Sequence, residues 1–259
     1  MFLIDSHAHL DMRRFDRDRD HVIERALSAG VRGIITIGID ANSSLDAAAL
    51  AEVYPCVVAA AGIHPHNADK STFHDLKELR LLAKRKKVVA IGEIGLDFFR
   101  NLSTRKNQIE IFKRQLDMAI SLDLPVIIHD RQAHEEVLGI LSSFRGNGAK
   151  GVIHCFSGDY ELAEAFMDLG YSISIPGTVT LKSASQTRDA ATRIPLDKML
   201  LETDAPFLTP LPCKGQRNEP SFLIHTARKV AQLRDVPLEE LAKRTSQNTY
   251  QLFNLSLLT

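Results

Sequence analysis

The chain has 259 residues, 44% of them hydrophobic, and its 32 basic and 32 acidic side chains give a formal net charge of zero. This length fits one large α/β domain, and the composition excludes disordered, collagen-like and coiled-coil proteins. The balanced charge argues against a protein that coats nucleic acid or an anionic membrane through bulk electrostatics, so any contact with nucleic acid has to be local.

Three features of the sequence indicate a cytoplasmic protein. The cysteines Cys56, Cys155 and Cys213 are odd in number and form no CxxC pair, which argues against a disulfide framework or a thiolate zinc site. The N-terminal run MFLID reaches a charged residue too early for a signal peptide. No run approaches the roughly 18 apolar residues of a membrane span. We therefore expect no membrane contact, and the sequence indicates no required protein partner.

Short apolar runs alternate with longer amphipathic segments along the whole chain. The runs predict strands at 2–6, 33–38, 57–63, 88–93, 125–129, 151–154, 171–175 and 199–203. The amphipathic segments predict helices at 18–29, 43–53, 72–86, 104–122, 131–144, 159–169, 184–193, 219–234 and 238–253. Apolar strands joined by crossover helices are typical of a parallel sheet, and eight such units close into a (β/α)8 barrel, the TIM barrel.

The first turn distinguishes this barrel from the main alternative, a doubly wound open sheet. An open sheet of that kind would carry a Gly-rich first turn, but the first turn here reads DSHAHLD and contains no glycine. No linker or internal repeat divides the chain. We therefore predict a single α/β domain, a TIM barrel that spans residues 1–259.

Histidines and carboxylates stand at the C-terminal ends of five predicted strands. The six residues are His7, His9, Glu93, His129, His154 and Asp204. In a closed barrel these strand ends converge on one mouth, so residues distant in sequence become neighbours. Each of these groups is costly to bury unpaired, and a shared dication offsets that cost for all of them. The sequence therefore predicts a divalent metal centre.

The donor set indicates which metals are suitable and how many ions bind. Imidazoles and carboxylates without a thiolate suit Zn²⁺, Mn²⁺ or Mg²⁺. Six protein ligands exceed what one tetrahedral ion takes, so we expect two ions about 3.5–4 Å apart. We assign the bridging position to Glu93, and the role of general base or water-orienting residue to Asp204. The ligands expected beside the bridge are His7, His9 and Asp204 for one ion, and His129 and His154 for the other.

Glu202 stands two residues before Asp204 on the same predicted strand. It is either a partner that holds a metal ligand from behind or one of the residues that fill the barrel interior. The sequence leaves both alternatives open.

Six motifs identify a resemblance to a known family. DSHAHLD, GIHPH, GEIGLDF, PVIIHDR, HCFSG and LLETDAP, in this order, closely resemble the motifs of the TatD-like metal-dependent hydrolases, a branch of the amidohydrolase superfamily. The resemblance covers essentially the entire chain. It implies a (β/α)8 barrel, a divalent metal centre and metal-dependent deoxyribonuclease activity, commonly 3′-to-5′ trimming of DNA. The metal ligands that it implies are the six residues named above.

Three further residues are candidates for contact with the substrate. His64 in GIHPH matches a family histidine that faces the substrate, and it lies at the end of the third predicted strand. Phe156 in HCFSG is placed either to stack on a base or to pack in the core. Arg217 lies in the long loop after the last strand, where it can bind a phosphate bidentately or remain exposed to solvent.

These observations favour a divalent-metal-dependent hydrolase that acts on DNA ends or similar phosphodiesters through a metal-activated water. The alternative keeps the metal centre but hydrolyses an amide, a lactone or an aminoacyl ester, including the ester of a mischarged aminoacyl-tRNA. Arg217 together with His64 favours the phosphodiester. A non-catalytic metal-binding module is a third hypothesis, and the complete ligand set argues against it.

Overall fold

The computed structural model of the protein describes residues 2–255. Eight parallel strands form one sheet in chain order: β1 (Leu3–Ala8), β2 (Val31–Ile37), β3 (Val57–Ala61), β4 (Val88–Asp97), β5 (Val126–Arg131), β6 (Gly151–Ile153), β7 (Ser172–Ile175) and β8 (Met199–Leu201). The α-helices between and after them are α1 (Arg19–Ser28), α2 (Ala41–Val53), α3 (Phe73–Leu82), α4 (Arg105–Ser121), α5 (His134–Ser143), α6 (Tyr160–Asp168), α7 (Ser185–Arg193), α8 (Leu223–Arg234) and α9 (Leu238–Phe253).

The sheet closes where the segment after β8 meets the end of β1. A parallel bridge joins Ala8 to Ala205. The backbone N–H of Asp204 donates to the His7 carbonyl at 2.9 Å, and the N–H of His9 donates to the Ala205 carbonyl at 2.7 Å. The TIM barrel predicted from the sequence is thus confirmed, and the open sheet is excluded.

Three strands run past their predicted C-terminal ends, among them β5, which continues to Arg131. β1 continues through His7, and β4 continues past Glu93 to Asp97, where it still pairs with β5. Gly95 makes this extension possible, since its φ is 139° and a Cβ there would stand 2.0 Å from the His129 carbonyl oxygen. Because side chains alternate along a strand, Glu93 and Asp97 lie on the same face of β4.

Apolar side chains fill the barrel on both sides of the sheet. The interior cluster includes Ile4, Ile35, Val58, Ile127 and Leu200, and Phe253 at the end of α9 packs with it. A larger cluster lies between the strands and the surrounding helices. The packed interior leaves the polar residues gathered at the C-terminal mouth, where TIM-barrel sites are built.

Helix starts are fixed by side chains that bind the first free backbone N–H groups. Asp40 accepts from the Ser43 N–H and Ser43 returns a hydrogen bond at the start of α2, and Thr72 and Asp75 do the same for α3. Among residues 2–255, every helix is too short or too polar to cross a bilayer.

Candidate metal centre

The six residues predicted as metal ligands lie together at the C-terminal mouth of the barrel. His7 and His9 at the end of β1 place their Nε2 atoms 3.3 Å apart. Asp204 Oδ1 lies 3.7 Å from His7 Nε2 and 3.5 Å from His9 Nε2. Glu93 Oε2 lies 3.5 Å and 3.8 Å from the same two nitrogens. Four donor atoms from different parts of the chain thus surround one small space.

A second group of donors surrounds the other carboxylate oxygen of Glu93. His129 Nδ1 lies 2.6 Å from Glu93 Oε1, and His154 Nε2 lies 2.8 Å from it. These two imidazole nitrogens are 3.4 Å apart. The His7 ring stacks on the His154 ring with 3.9 Å between centroids, which brings the two groups side by side. Each oxygen of Glu93 therefore faces one group, as a bridging ligand requires.

Three of the imidazoles contact a carbonyl or a carboxylate through one ring nitrogen, and the other nitrogen of each ring faces the site. The pairs are His9 Nδ1 with the Ile37 carbonyl at 3.0 Å, His154 Nδ1 with Glu202 Oε1 at 3.3 Å, and His129 Nε2 with Asp97 Oδ2 at 3.4 Å. A carbonyl or carboxylate behind an imidazole fixes its orientation and raises its basicity, an arrangement common to metal-binding histidines. Glu202 thus contacts His154, a predicted ligand, as the first of its two alternatives expects.

Burial and neighbouring charges set the protonation of the site. Burial alone would raise the pKa of Glu93, but the adjacent His154 holds it well below its ordinary value. Burial would lower the pKa of His9, yet its hydrogen bond with Asp204 raises that pKa to about 9. Burial would also lower the pKa of His154, but the neighbouring Glu93 and Glu202 raise it well above its ordinary value. The ionised carboxylates thus create a strong preference for positive charge in the site.

The donors fit a divalent cation in spacing as well as in chemistry. Nitrogen and oxygen ligands lie about 2.0–2.2 Å from Zn²⁺, so the ligands of one tetrahedral ion stand about 3.3–3.6 Å apart. His7 Nε2 and His9 Nε2 are 3.3 Å apart, and each lies 3.5–3.8 Å from Asp204 Oδ1 and from Glu93 Oε2. The groups with ligand atoms close enough to share an ion are His7, His9 and Asp204; His7, His154 and Glu202; and His64, Glu93 and His129.

His64 lies beside Glu93, and its hydrogen bonds identify it as a donor. The backbone N–H of His66 donates to His64 Nδ1 at 3.1 Å, so the ring carries its proton on Nε2. That nitrogen lies 3.4 Å from Glu93 Oε1. Burial lowers the pKa of His64 to about 4, so the ring is neutral at neutral pH. A neutral imidazole with its N–H toward the site is suited to donate a hydrogen bond to a substrate oxygen.

The other two predicted substrate residues are both engaged in contacts within the protein, which argues against their expected roles. Phe156 is 3% exposed and packs in the cluster between the sheet and the helices, so its ring offers no face to a base. Arg217 binds both oxygens of Asp18, at 2.8 Å and 2.7 Å. Its guanidinium also lies 4.5 Å from the centroid of the Phe15 ring. These contacts occupy the guanidinium that was expected to bind a phosphate.

Asp97 is a supporting residue that the sequence analysis did not assign. It is fully buried, accepts a hydrogen bond from His66 Nε2 at 2.7 Å, and lies behind His129. A strand that continued through GEIGLD would have indicated it, because Glu93 and Asp97 are four residues apart and share one face. The glycines of the motif concealed that continuation.

Asp5 is the second supporting residue that was missed. Its Oδ2 accepts from Thr203 Oγ1 at 2.6 Å, and its Oδ1 accepts from the backbone N–H groups of Thr203 at 3.0 Å and His7 at 3.2 Å. It therefore ties the strand that carries His7 to the segment that carries Asp204. The alternation of Asp5 and His7 along β1, continued by His9 just after it, is the sequence signal that could have identified Asp5.

Comparison with known proteins identifies the family. The profile of the family described as "TatD related DNase" matches residues 4–254. The chain belongs to this TatD family. The resemblance that the six sequence motifs indicated is thereby confirmed.

Similar proteins match this TatD family member over nearly their full length. The uncharacterised metal-dependent hydrolase YabD of Bacillus subtilis (strain 168) is 39% identical over 254 residues, which cover 98% of this chain and 100% of the relative. The 3′-5′ ssDNA/RNA exonuclease TatD of Pantoea vagans (strain C9-1) is 40% identical over 260 residues, with 98% and 100% covered. The crystal structure of YjjV, a TatD homologue of Escherichia coli K12, has a TM-score of 0.92 at 38% identity and covers 97% of this chain and 98% of its own.

Proposed function

We propose that this chain is a divalent-metal-dependent hydrolase that cleaves phosphodiester bonds, acting as a 3′-5′ exonuclease on the ends of single-stranded nucleic acid. The observation that carries the proposal is the position of Glu93, whose two oxygens face two separate groups of donors. Paired metal sites of this kind serve the in-line displacements of phosphodiester hydrolysis. The relative named as an ssDNA/RNA exonuclease supports a nucleic-acid substrate.

We infer two divalent cations, with Zn²⁺, Mn²⁺ and Mg²⁺ as the candidates. His7, His9 and Asp204 would hold one cation, His129 and His154 would hold the other, and Glu93 would lie between them. When bound, such cations lower the pKa of water and stabilise negative charge on phosphate oxygens.

Asp204 and His64 are the residues that we assign to the substrate side of the reaction. The Asp204 side chain is 13% exposed, more than either histidine beside it, so it faces the mouth through which water enters. We assign it to orient the attacking water and to accept its proton. His64 would donate its Nε2–H to a phosphate oxygen, because its Nδ1 already accepts from the His66 backbone.

The proposal is tested with purified protein supplied separately with Mn²⁺, Mg²⁺ and Zn²⁺. The substrates are 5′-labelled single-stranded DNA and RNA, bis(p-nitrophenyl) phosphate, and a panel of amides, lactones and aminoacyl esters. We expect products shortened from the 3′ end, and no products after chelation. Turnover of the amide or ester panel without any phosphodiester turnover would refute the proposal in favour of the carbonyl hydrolase.

We also place this reaction in the cytoplasm. Cys56, Cys155 and Cys213 are free thiols, as is usual for proteins of a reducing compartment. Fractionation of cells that carry a tagged copy of the chain tests this location, and recovery with the membrane or an exported fraction would contradict it.

A further inference from the structure

A cleft of about 650 Å³ lies between the segment after β1 and the loop after β8. Both leave the C-terminal mouth, since the end of β1 and the segment after β8 meet where the barrel closes. The charged side chains that line the cleft are Arg14, Arg17, Arg25, Arg217, Asp18 and Glu219.

Two of the four arginines are neutralised by these carboxylates. Arg217 pairs with Asp18, and Arg25 binds Glu219 with Nη2 and Oε2 2.6 Å apart. Arg14 and Arg17 are exposed, and neither forms an ion pair within residues 2–255. The cleft therefore carries a surplus of two positive charges in a chain whose formal net charge is zero. Such a surplus favours a polyanionic ligand.

An aromatic ring connects this cleft to the metal centre. Phe207 lies three residues after Asp204 and is 40% exposed. The centroid of its ring is 6.0 Å from that of His9, and Arg14 Cζ lies 5.8 Å from the same Phe207 centroid. The ring therefore lies near both a predicted metal ligand and an unpaired arginine. Exposed aromatic rings in a positive groove are the platforms on which single-stranded bases stack.

We propose that the cleft binds the nucleotides next to the scissile phosphate of a single-stranded nucleic acid, with Phe207 stacked on a base and Arg14 and Arg17 bound to backbone phosphates. The inference rests on the proposed phosphodiesterase function and specifies how that site holds its strand. Arginine binds phosphate oxygens bidentately, and stacking accepts every base. The cleft therefore binds the strand without reading its sequence.

The first test measures binding by the metal-loaded protein. The probe is a fluorescent oligothymidylate with phosphorothioate linkages that slow hydrolysis, and anisotropy is recorded over a range of salt concentrations. Arg14→Ala/Arg17→Ala is compared with Arg85→Ala/Lys86→Ala, which removes the same charge from exposed positions after α3, at the opposite end of the barrel. Each phosphate contact contributes about 0.7 to the slope of log K against log salt, so the cleft variant should reduce that slope by about 1.4.

The second test concerns the aromatic platform. Phe207→Leu removes the ring and should weaken oligothymidylate binding by about 5- to 150-fold, because one stacked base contributes about 1–3 kcal/mol. Phe207→Tyr keeps the ring and should restore most of the affinity. A leucine variant that binds as tightly as wild type would overturn the stacking role, and a wild-type salt slope in Arg14→Ala/Arg17→Ala would overturn the phosphate contacts.

Turnover of bis(p-nitrophenyl) phosphate separates failure of the cleft from failure of the proposed function. This diester has no neighbouring nucleotides, so Arg14→Ala/Arg17→Ala should lose far more kcat/KM on an oligonucleotide than on the diester, whereas Arg85→Ala/Lys86→Ala should retain both. Equal losses on the two substrates would count against the cleft. If the wild type hydrolyses neither substrate, the proposed function fails, and the binding measurements still decide whether the cleft holds a strand.

Discussion

Replacing Glu93 with glutamine removes one negative charge from between the two donor groups and keeps the shape of the side chain. Glu93 Oε2 lies 3.5 Å from His7 Nε2, and Oε1 lies 2.6 Å from His129 Nδ1, so the change weakens a carboxylate contact in both groups at once. We therefore expect both cations to bind more weakly, rather than one of them alone.

The size of this effect follows from the burial of the side chain. Glu93 is 4% exposed, so water cannot replace the lost charge. Removing one partner of a buried ion pair costs about 3–5 kcal/mol, and every 1.4 kcal/mol is a tenfold change in affinity. The affinity for divalent cations should fall by about 100- to 5000-fold. Glu52→Gln, which removes a charge from an exposed position on α2, is the control and should bind metal as the wild type does.

Equilibrium dialysis against graded Mn²⁺ concentrations, with bound metal measured by mass spectrometry, gives both the affinity and the number of ions. We expect two equivalents in the wild type, and partial occupancy of both sites in Glu93→Gln at concentrations that saturate the wild type. Two ions bound by the variant with wild-type affinity would refute the placement of Glu93 between the cations, whatever the variant does to activity.

Three other predictions concern substrate contact, metal and acid stability. His64→Ala should raise the KM for an oligonucleotide and keep both metal equivalents in dialysis, because its Nε2–H donates rather than ligates; loss of an equivalent would contradict that assignment. Chelation should lower the Tm in calorimetry, and Mn²⁺ at 100 times its Kd should restore about 2.7 kcal/mol of the free energy of unfolding for each ion bound; an unchanged Tm would argue against tight binding. Glu219→Gln should destabilise the fold by about 1–3 kcal/mol at neutral pH. Burial opposes the ionised form of Glu219, but Arg25 lowers its pKa, so this stabilisation is present above about pH 4.5 and disappears as the pH falls further. Urea denaturation of both proteins across this range measures the difference, and a constant difference would contradict the ion-pair explanation.

The barrel was predictable because its strands and helices are encoded by local patterns. β3 is buried at every position and contains only valine and alanine, and the predicted helices at 43–53 and 238–253 agree closely with α2 and α9. The strand-end position of the ligands then followed from topology alone. The extension of β4 could not be predicted, because the glycines of GEIGLDF indicate a turn. The close approach of Gly95 to the His129 carbonyl, which explains that glycine within a strand, is seen only in the structure.

The substrate contacts were less predictable because they depend on which of several partners a side chain meets. Arg217 meets Asp18, which is 199 positions away in the sequence, and that contact removes it from the candidate phosphate ligands. Phe156 is buried in the larger apolar cluster, which a strand-end position alone does not reveal. The arrangement of Arg14 beside Phe207 likewise depends on the paths of two loops that a periodic pattern does not describe.

The closure of the barrel explains why ligands from the two ends of the chain share one space. β1 and β8 are the edges of the sheet, and the contacts that join them include the hydrogen bonds of Asp204 with the His7 carbonyl and of Asp5 with Thr203. A cation shared by His7, His9 and Asp204 would add a further link across the same seam. Its binding energy would therefore stabilise the closed barrel as well as the site, since a ligand that binds only the native arrangement shifts the folding equilibrium toward it.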